Sequence, residues 1–440
     1  MTYNFLPQWK IKTSGMIMPD ERLPTPQSVI AGLQHVVAMF GSTALAPILM
    51  GFNPNIAVFF SGIATLIFFV IVRGQLPSYL GSSFAFISVV MAATGYSGQG
   101  PNLNIPLALG GIVVAGAIYF LVGVAVNMAG HRWIEKLMPP VVTGAIVAVI
   151  GLNLSRIAVA NVSASNFDTF IGLFTVVAVG LLSIYAPGSI RRLPILIGAI
   201  SSYLVYFIFA NLMGFGKAID FSGVRDAAWF GLPEFHTPVF SLNAISLITP
   251  VVLILIAENL GHIKAIGVMT GRNMDQYIGR AFMGDGLATM LSGSCGGTGV
   301  TTYAENMGVM AVTRNFSTFV FIVAGFIAIG LGLSPKFGAL IMTIPIPVLG
   351  GLAIVVFGLI AAAAGRIWVE NNVDFSNPRN LITVGVALVL GAGNLKLNIY
   401  NFELDGIGTA TFGIIILFHM LKDNKTDIEE FKEPPEVPSA

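Results

Sequence analysis

Ser82-Ser83-Phe84-Ala85, followed by Met91-Ala92, recurs as Thr301-Thr302-Tyr303-Ala304, followed by Met310-Ala311. Each copy sets two small hydroxyls, an aromatic ring and an alanine ahead of a short helical run. The rest of the chain is almost entirely apolar sequence of membrane-spanning length. Polar, glycine-rich backbone at membrane depth is unfavourable unless it is buried in protein or lines a cavity. Two such interruptions in corresponding places are the best pointer that a sequence offers to a carrier's substrate site. The second copy adds a carboxylate, Glu305.

The surroundings of these breaks fix the class. Of 440 residues, 55% are hydrophobic and 10% charged, against about 25% charged in soluble domains. Mean hydropathy is +0.83. Apolar segments fall at 27–50, 55–72, 79–95, 105–129, 139–158, 167–187, 193–214, 243–263, 280–295, 301–313, 317–335, 346–364, 379–393 and 404–421. The pattern predicts an all-α polytopic membrane protein with about fourteen spans. A large soluble enzyme is excluded by this charge content. A formal net charge of +1 without a basic stripe gives no sign of a nucleic-acid partner. The single cysteine, Cys295, excludes an intrachain disulfide framework. Residues 1–26 lack an apolar run, so no cleavable signal peptide is expected. The charged, proline-rich residues 422–440 read as a solvated tail.

Basic residues set the orientation. With both termini cytoplasmic, 17 Lys and Arg fall inside and five outside, the five being Arg156, Lys217, Arg225, Lys336 and Lys396. That asymmetry favours an even number of spans, both termini cytoplasmic and, for a bacterial chain, the inner membrane. A second internal match sets Pro140-Val141-Val142-Thr143-Gly144-Ala145 against Pro347-Val348-Leu349-Gly350-Gly351-Leu352. Its offset of 207 is close to the 219 that separates the two breaks. Similar offsets indicate one duplication of seven spans. Seven is odd, so the second half enters the membrane from the opposite side. The expectation is a 7+7 inverted repeat, the architecture of alternating-access carriers.

Two acids escape the loops. Glu258 follows Val251-Val252-Leu253-Ile254-Leu255-Ile256-Ala257, and Glu305 follows the second break. A charge at the bilayer centre costs roughly 2.5–3.5 kcal/mol on insertion scales, which makes such acids functional candidates; the plainer reading is a hydrogen-bonded acid at a helix contact. His262 lies one helical turn after Glu258, placed to share a proton with it. Asp285, at the start of a span, reads as a capping group or as the partner of an arginine. His35 reads either as support for the site from behind or as packing. Phe84 and Tyr303 hold matched positions, so they are expected to stack on a planar ligand whose carbonyls meet amides of a half-helix N-terminus. Ser83 belongs to the same binding set. There is no Walker loop, metal-spaced Cys/His cluster or nucleophile elbow, and no metal or cofactor is expected.

Glu305-Asn306-Met307-Gly308-Val309-Met310-Ala311-Val312-Thr313-Arg314 resembles the signature of the nucleobase–ascorbate transporters, the nucleobase:cation symporter-2 family. Gln34-His35, Leu80–Phe86 and Ala257–His262 resemble its uracil permease branch. Phe230–Pro233, Gly271–Asp275 and Asp285–Gly293 are most similar to the pyrimidine permeases associated with the Rut uracil-degradation pathway. The resemblance implies a core domain (27–130 and 243–335) and a gate domain (139–214 and 346–421), with short antiparallel strands in spans three and ten. It implies base binding by Glu258, Glu305, Phe84 and Ala304, proton coupling through Glu258 and His262, and a homodimer. Phe357 stands where uracil permeases can carry Tyr, which removes one hydroxyl from the gate side. The implied activity is proton-coupled import of a pyrimidine, with sodium coupling, a purine cargo or an anion cargo as alternatives. A membrane-embedded enzyme is the reading from another class.

Overall fold

The computed structural model describes residues 7–96, 98, 102–187, 194–399 and 402–421. The expected tail, 422–440, lies outside them. Four spans of the first half are α1 (Thr25–Met50), α2 (Pro54–Ile71), a broken third built from strand and helix, and α4 (Ile105–Ala129). The third consists of β3 (Leu80–Ser82) and α3 (Phe86–Thr94). Ahead of them lie two short strands, β1 (Lys10–Ile11) and β2 (Glu21–Arg22). A linker helix, α5 (Arg132–Leu137), leads to α6 (Pro140–Val162), α7 (Asn166–Tyr185) and α8 (Pro194–Phe207).

The second half repeats this order. After a short α9 (Ser222–Asp226) come α10 (Leu242–Ile248) and α11 (Val251–Thr270), which together make one span. Next are α12 (Ile278–Ser294), then β4 (Val300–Thr302) with α13 (Ala304–Thr313), then α14 (Thr318–Gly332). The set ends with α15 (Pro335–Met342), α16 (Ile346–Glu370), α17 (Pro378–Ala392), the hairpin of β5 (Leu397–Ile399) and β6 (Phe402–Leu404), and α18 (Gly406–Met420). Among the described residues, eight helical segments are long and apolar enough to cross a membrane unaided. The remaining spans are shorter helices or the two strand–helix breaks. α15 does not extend α14 but turns from it by 81°.

Helix starts follow local chemistry. Proline occupies the first turn of α2, α6, α16 and α17, where its missing N–H costs nothing. The Asn53 and Asn377 side chains accept from Asn55 N and Arg379 N, capping α2 and α17.

Two groups of helices pack tightly within themselves, and small residues set the spacing in both. In the first group α4 lies on α12, and α2 on α14. A Cβ built on Gly286 would sit 2.4 Å from Phe120 N, and one on Gly62 2.4 Å from Gly325 O. In the second group α6 lies on α16, and a Cβ on Gly151 would sit 2.4 Å from Phe357 O. The obstructing atoms are backbone, so they cannot swing aside. The backbone contact they permit is the main source of packing energy where lipid and side chains are equally apolar.

The N-terminal segment is more ordered than its polar sequence suggests. β1 pairs parallel with β2, and Ile17 bridges to Asn315. Trp9 Nε1 donates to Thr318 Oγ1 at 3.0 Å, and Thr318 Oγ1 donates to Pro19 O at 2.8 Å. Lys12 Nζ lies 2.8 Å from Glu21 Oε2 and holds that carboxyl below its usual range. The segment is therefore fastened over the junction of α13 and α14.

Gly286→Leu should lower the melting temperature of the purified protein, an overpacking loss of about 1–3 kcal/mol. Gly330→Leu, on an open face with nothing within 4 Å of its Cβ, should leave it unchanged. Equal melting of both variants would remove close α4–α12 approach as a constraint.

Candidate substrate site at the strand crossing

The two breaks meet. β3 and β4 pair antiparallel, with Leu80 opposite Thr302, Gly81 opposite Thr301 and Ser82 opposite Val300. Ser83 N donates to Gly299 O at 2.9 Å, and Tyr303 N to Tyr79 O at 3.0 Å. Side-chain hydroxyls complete the seam. Leu80 N donates to Thr65 Oγ1 and Val300 N to Thr289 Oγ1. Ser82 Oγ lies 2.6 Å from Thr298 Oγ1, and Ser292 Oγ donates to Thr298 O at 2.6 Å. Gly81 is required by approach distance: a Cβ there would stand 2.6 Å from Thr43 Oγ1 and from the Tyr303 ring.

Beyond the strands, α3 and α13 begin as half-helices. The N–H groups of Phe84 and Ala304 find no acceptor among the described residues. These are the orphan donors at the start of a helix, where the backbone dipoles leave partial positive charge. Glu305 occupies the first turn of α13 and takes a short hydrogen bond from Ser42 Oγ of α1. Glu258, on α11, lies within electrostatic range of Glu305. Both carboxylates are half-buried, and Ala304 is exposed. Cβ atoms built on Gly261, Gly308 and Gly358 would meet nothing within 4 Å. Gly261 lies one turn after Glu258 and Gly308 one turn after Glu305, so neither acid has a Cβ from that next turn beside it. Phe84 is half-buried, and its ring meets the buried Phe357 of α16 edge-on at 5.8 Å.

The structure places the other candidates behind this front. His262 Nδ1 lies 2.8 Å from Thr302 Oγ1, which ties α11 to β4. Among the described residues no hydrogen bond joins His262 to Glu258. Asn306, next to Glu305, reaches both Nδ1 and the carbonyl of His35 at 3.0 Å and fixes α13 against α1.

Three readings need correction. Tyr303 does not mirror Phe84. It is 3% exposed, its hydroxyl accepts from Thr43 and donates to Ser82 O at 2.8 Å, and its ring lies against Tyr79. The hydroxyl that distinguishes Tyr from Phe draws the ring into the polar seam. Ser83 is likewise buried, and its Oγ accepts from Ala85 N at 3.3 Å, so it caps the turn. Asp285 sits inside α12, fully buried, rather than at the helix start, and meets no arginine among the described residues. Asn259 Nδ2 donates to Asp285 Oδ2 at 2.7 Å and to the Tyr119 hydroxyl at 3.0 Å. Ser42, Thr43 and Asn259 were not singled out from the sequence. The only signal for the first two is that they add hydroxyls to an otherwise apolar span.

Residues 26–399 match the Xan_ur_permease model, described as a permease family. The chain belongs to that family, the nucleobase:cation symporter-2 group. Its relatives include the pyrimidine permease RutG of Escherichia coli K12, 58% identical over 98% of both chains. The uracil permease of Paenibacillus larvae is 39% identical over 91% of this chain and 96% of its own. That of Bacillus subtilis is 37% identical over 93% and 96%. Among solved structures, the transmembrane domain of the cyanobacterial bicarbonate transporter BicA superposes with a TM-score of 0.61 at 15% identity, covering 90% of this chain and 97% of that one. Murine Slc26a9 gives 0.63 at 11% identity over 95% and 69%. These likenesses establish the 7+7 inverted-repeat fold. The chain is a multi-pass membrane transporter, not an enzyme.

Tyr303→Phe should lower the melting temperature, because it strands Thr43 and the Ser82 carbonyl at a cost of about 1–3 kcal/mol. A melting temperature matching the parent protein would show that the hydroxyl has no part in holding the strand crossing.

Proposed function

We propose that this permease imports a pyrimidine nucleobase, uracil and also thymine, across the cell inner membrane by proton symport through alternating access. The relatives' names support the cargo. One observation carries the reading: two half-buried carboxylates and two half-helix amides without an acceptor among the described residues come together at one strand crossing.

Uracil is flat, with two N–H donors and two carbonyl acceptors. Glu258 and Glu305 accept from its N–H groups. The amides of Phe84 and Ala304 donate to its carbonyls, and the Phe84 ring packs on its face. Tyr303 and Ser83 position the seam, and His35, through Asn306, holds α13. A ligand with the donors and acceptors reversed would leave buried polar groups unpaired, which gives strong discrimination.

Protonation of Glu258 supplies the coupling. A neutral carboxyl removes the cost of carrying a bare charge through the bilayer, and each proton moved inward gains about 2.3 kcal/mol per 100 mV. His262, one turn away and bound to Thr302, exchanges that proton with Glu258 when its ring turns. The first packing group (27–130 and 243–335) is the core and the second (139–214 and 346–421) the gate. Residues 1–26 and the tail lie on the cytoplasmic side. The gate also supplies a homodimer interface, where Phe170, Leu173 and Val177 of α7 leave an apolar stripe uncovered in the single chain.

Glu258→Gln should abolish uphill uracil uptake into proteoliposomes with an imposed proton gradient; normal accumulation would remove Glu258 from coupling. Glu305→Ala should weaken uracil binding by about 10- to 100-fold, the loss of one charge-assisted hydrogen bond. An unchanged dissociation constant by calorimetry would refute its ligand role.

A further inference from the structure

Away from the strand crossing, a cavity of about 370 Å³ opens where α2 and α4 end above the first turn of α12. Val70, Ile71, Arg73, Asn127, Arg280 and Met283 line it. Its surface is mostly apolar, from Val70, Ile71 and Met283, with a small polar share where Arg73, Asn127 and Arg280 reach it. Both arginines belong to the end of the bundle where the chain gathers most of its basic residues, which is where the hydrocarbon gives way to headgroups.

We propose that this cavity is a binding site for an anionic phospholipid, with the headgroup phosphate on Arg73 and Arg280 and an acyl chain along Val70. Arg280 is half-buried, yet no carboxylate or other acceptor meets it among the described residues. A guanidinium held in a partly dry groove without a counter-ion favours an anion, and its planar fork matches phosphate oxygens in pairs. Arg73 stands in the left-handed backbone region at φ 56°, followed by Gly74 at φ 62°. A side chain in that conformation costs free energy that glycine would avoid. Asn127, on the rim of α4, also has no hydrogen-bond partner among the described residues and offers an amide donor.

The apolar wall decides between lipid and soluble phosphate. Val70 is 48% exposed, and Leu121 and Met128 of α4 are exposed at 63% and 83%. These side chains continue the cavity's apolar side along the outer surface, where an acyl chain lies beside its own headgroup. Basic pockets between spans on the cytoplasmic side bind acidic headgroups by this combination. All three helices belong to one tightly packed group, so the site keeps its shape while the other group moves. Lipid binding here is therefore independent of bound uracil.

The test is native mass spectrometry of the purified full chain, titrated with phosphatidylglycerol or phosphatidylcholine. The parent protein should retain one phosphatidylglycerol in preference to phosphatidylcholine, with or without uracil. Retention should weaken about tenfold in Arg280→Gln and further in the Arg73→Gln/Arg280→Gln pair. Val70→Trp, which fills the cavity and leaves both charges, should also displace the lipid and covers the case in which the double variant does not fold. Retention equal to the parent protein's in both Arg280→Gln and Val70→Trp would overturn the proposal. So would indifference between the two lipids, or displacement of phosphatidylglycerol by millimolar inorganic phosphate.

Discussion

Backbone polarity at membrane depth is the constraint from which this structure follows. A helix satisfies its own N–H and C=O groups, but a chain that stops being helical between two leaflets exposes them where no water can help. Here two interruptions satisfy each other. The three-residue β3 and β4 exchange ladder bonds, and hydroxyls from Thr65, Thr289, Ser82 and Ser292 take up what the ladder leaves. Among the described residues the amides of Phe84 and Ala304 find no acceptor, and each lies at the start of a half-helix. On the proposed reading, a site for carbonyl oxygens is a by-product of breaking two spans at the same depth.

On the same reading, the carboxylates complete what the backbone alone cannot offer. Half-helix N-termini donate and never accept, so a ligand with both donors and acceptors needs acids opposite them. Glu305 is supplied by the broken span itself, one residue after its open amide, and is held by Ser42 of α1. Glu258 comes from an unbroken neighbouring helix, held in place by the bond from His262 to Thr302 and by the Asn259–Asp285–Tyr119 cluster one step further round α11. The polar residues behind the front are therefore divided in labour. One set holds α13, the other holds α11, and the seam between the strands holds both in register.

Much of this was legible because duplication leaves two readings of one design. The hydroxyl–aromatic–alanine pattern marked both breaks, and its recurrence at nearly the offset of the Pro140 and Pro347 helices gave the inverted repeat. Symmetry also misled. Phe84 and Tyr303 occupy equivalent positions, but one hydroxyl separates them, and the nearest acceptor for it is the Ser82 carbonyl rather than a ligand. Asp285 looked like a terminal cap because Gly284 and Gly286 flank it. Those glycines instead allow α12 to approach α2 and α4, and the helix runs straight through. The fold of residues 9–22 was not legible, since two-residue strands carry no period. Their order comes from a tertiary partner, the turn at Arg314 and Asn315, which lies some 300 residues away in sequence.

In the proposed mechanism, carriage requires that the two packing groups move relative to one another without either coming apart. The glycine contacts answer half of that demand. α4 on α12, α2 on α14 and α6 on α16 are joined at backbone distance, so each group resists internal shear. Two of the contacts between the groups are built differently. Phe84 meets Phe357 edge to edge, and Gly41 of α1 meets only the Ile195 side chain of α8. These are apolar, non-directional contacts that can slide and re-form with little change in energy. A hydrogen-bonded seam there would have to be broken in a water-poor interior at every cycle. The absence of a hydroxyl on Phe357 belongs to the same logic: it keeps the contact nearest the site free of a bond that motion would have to break.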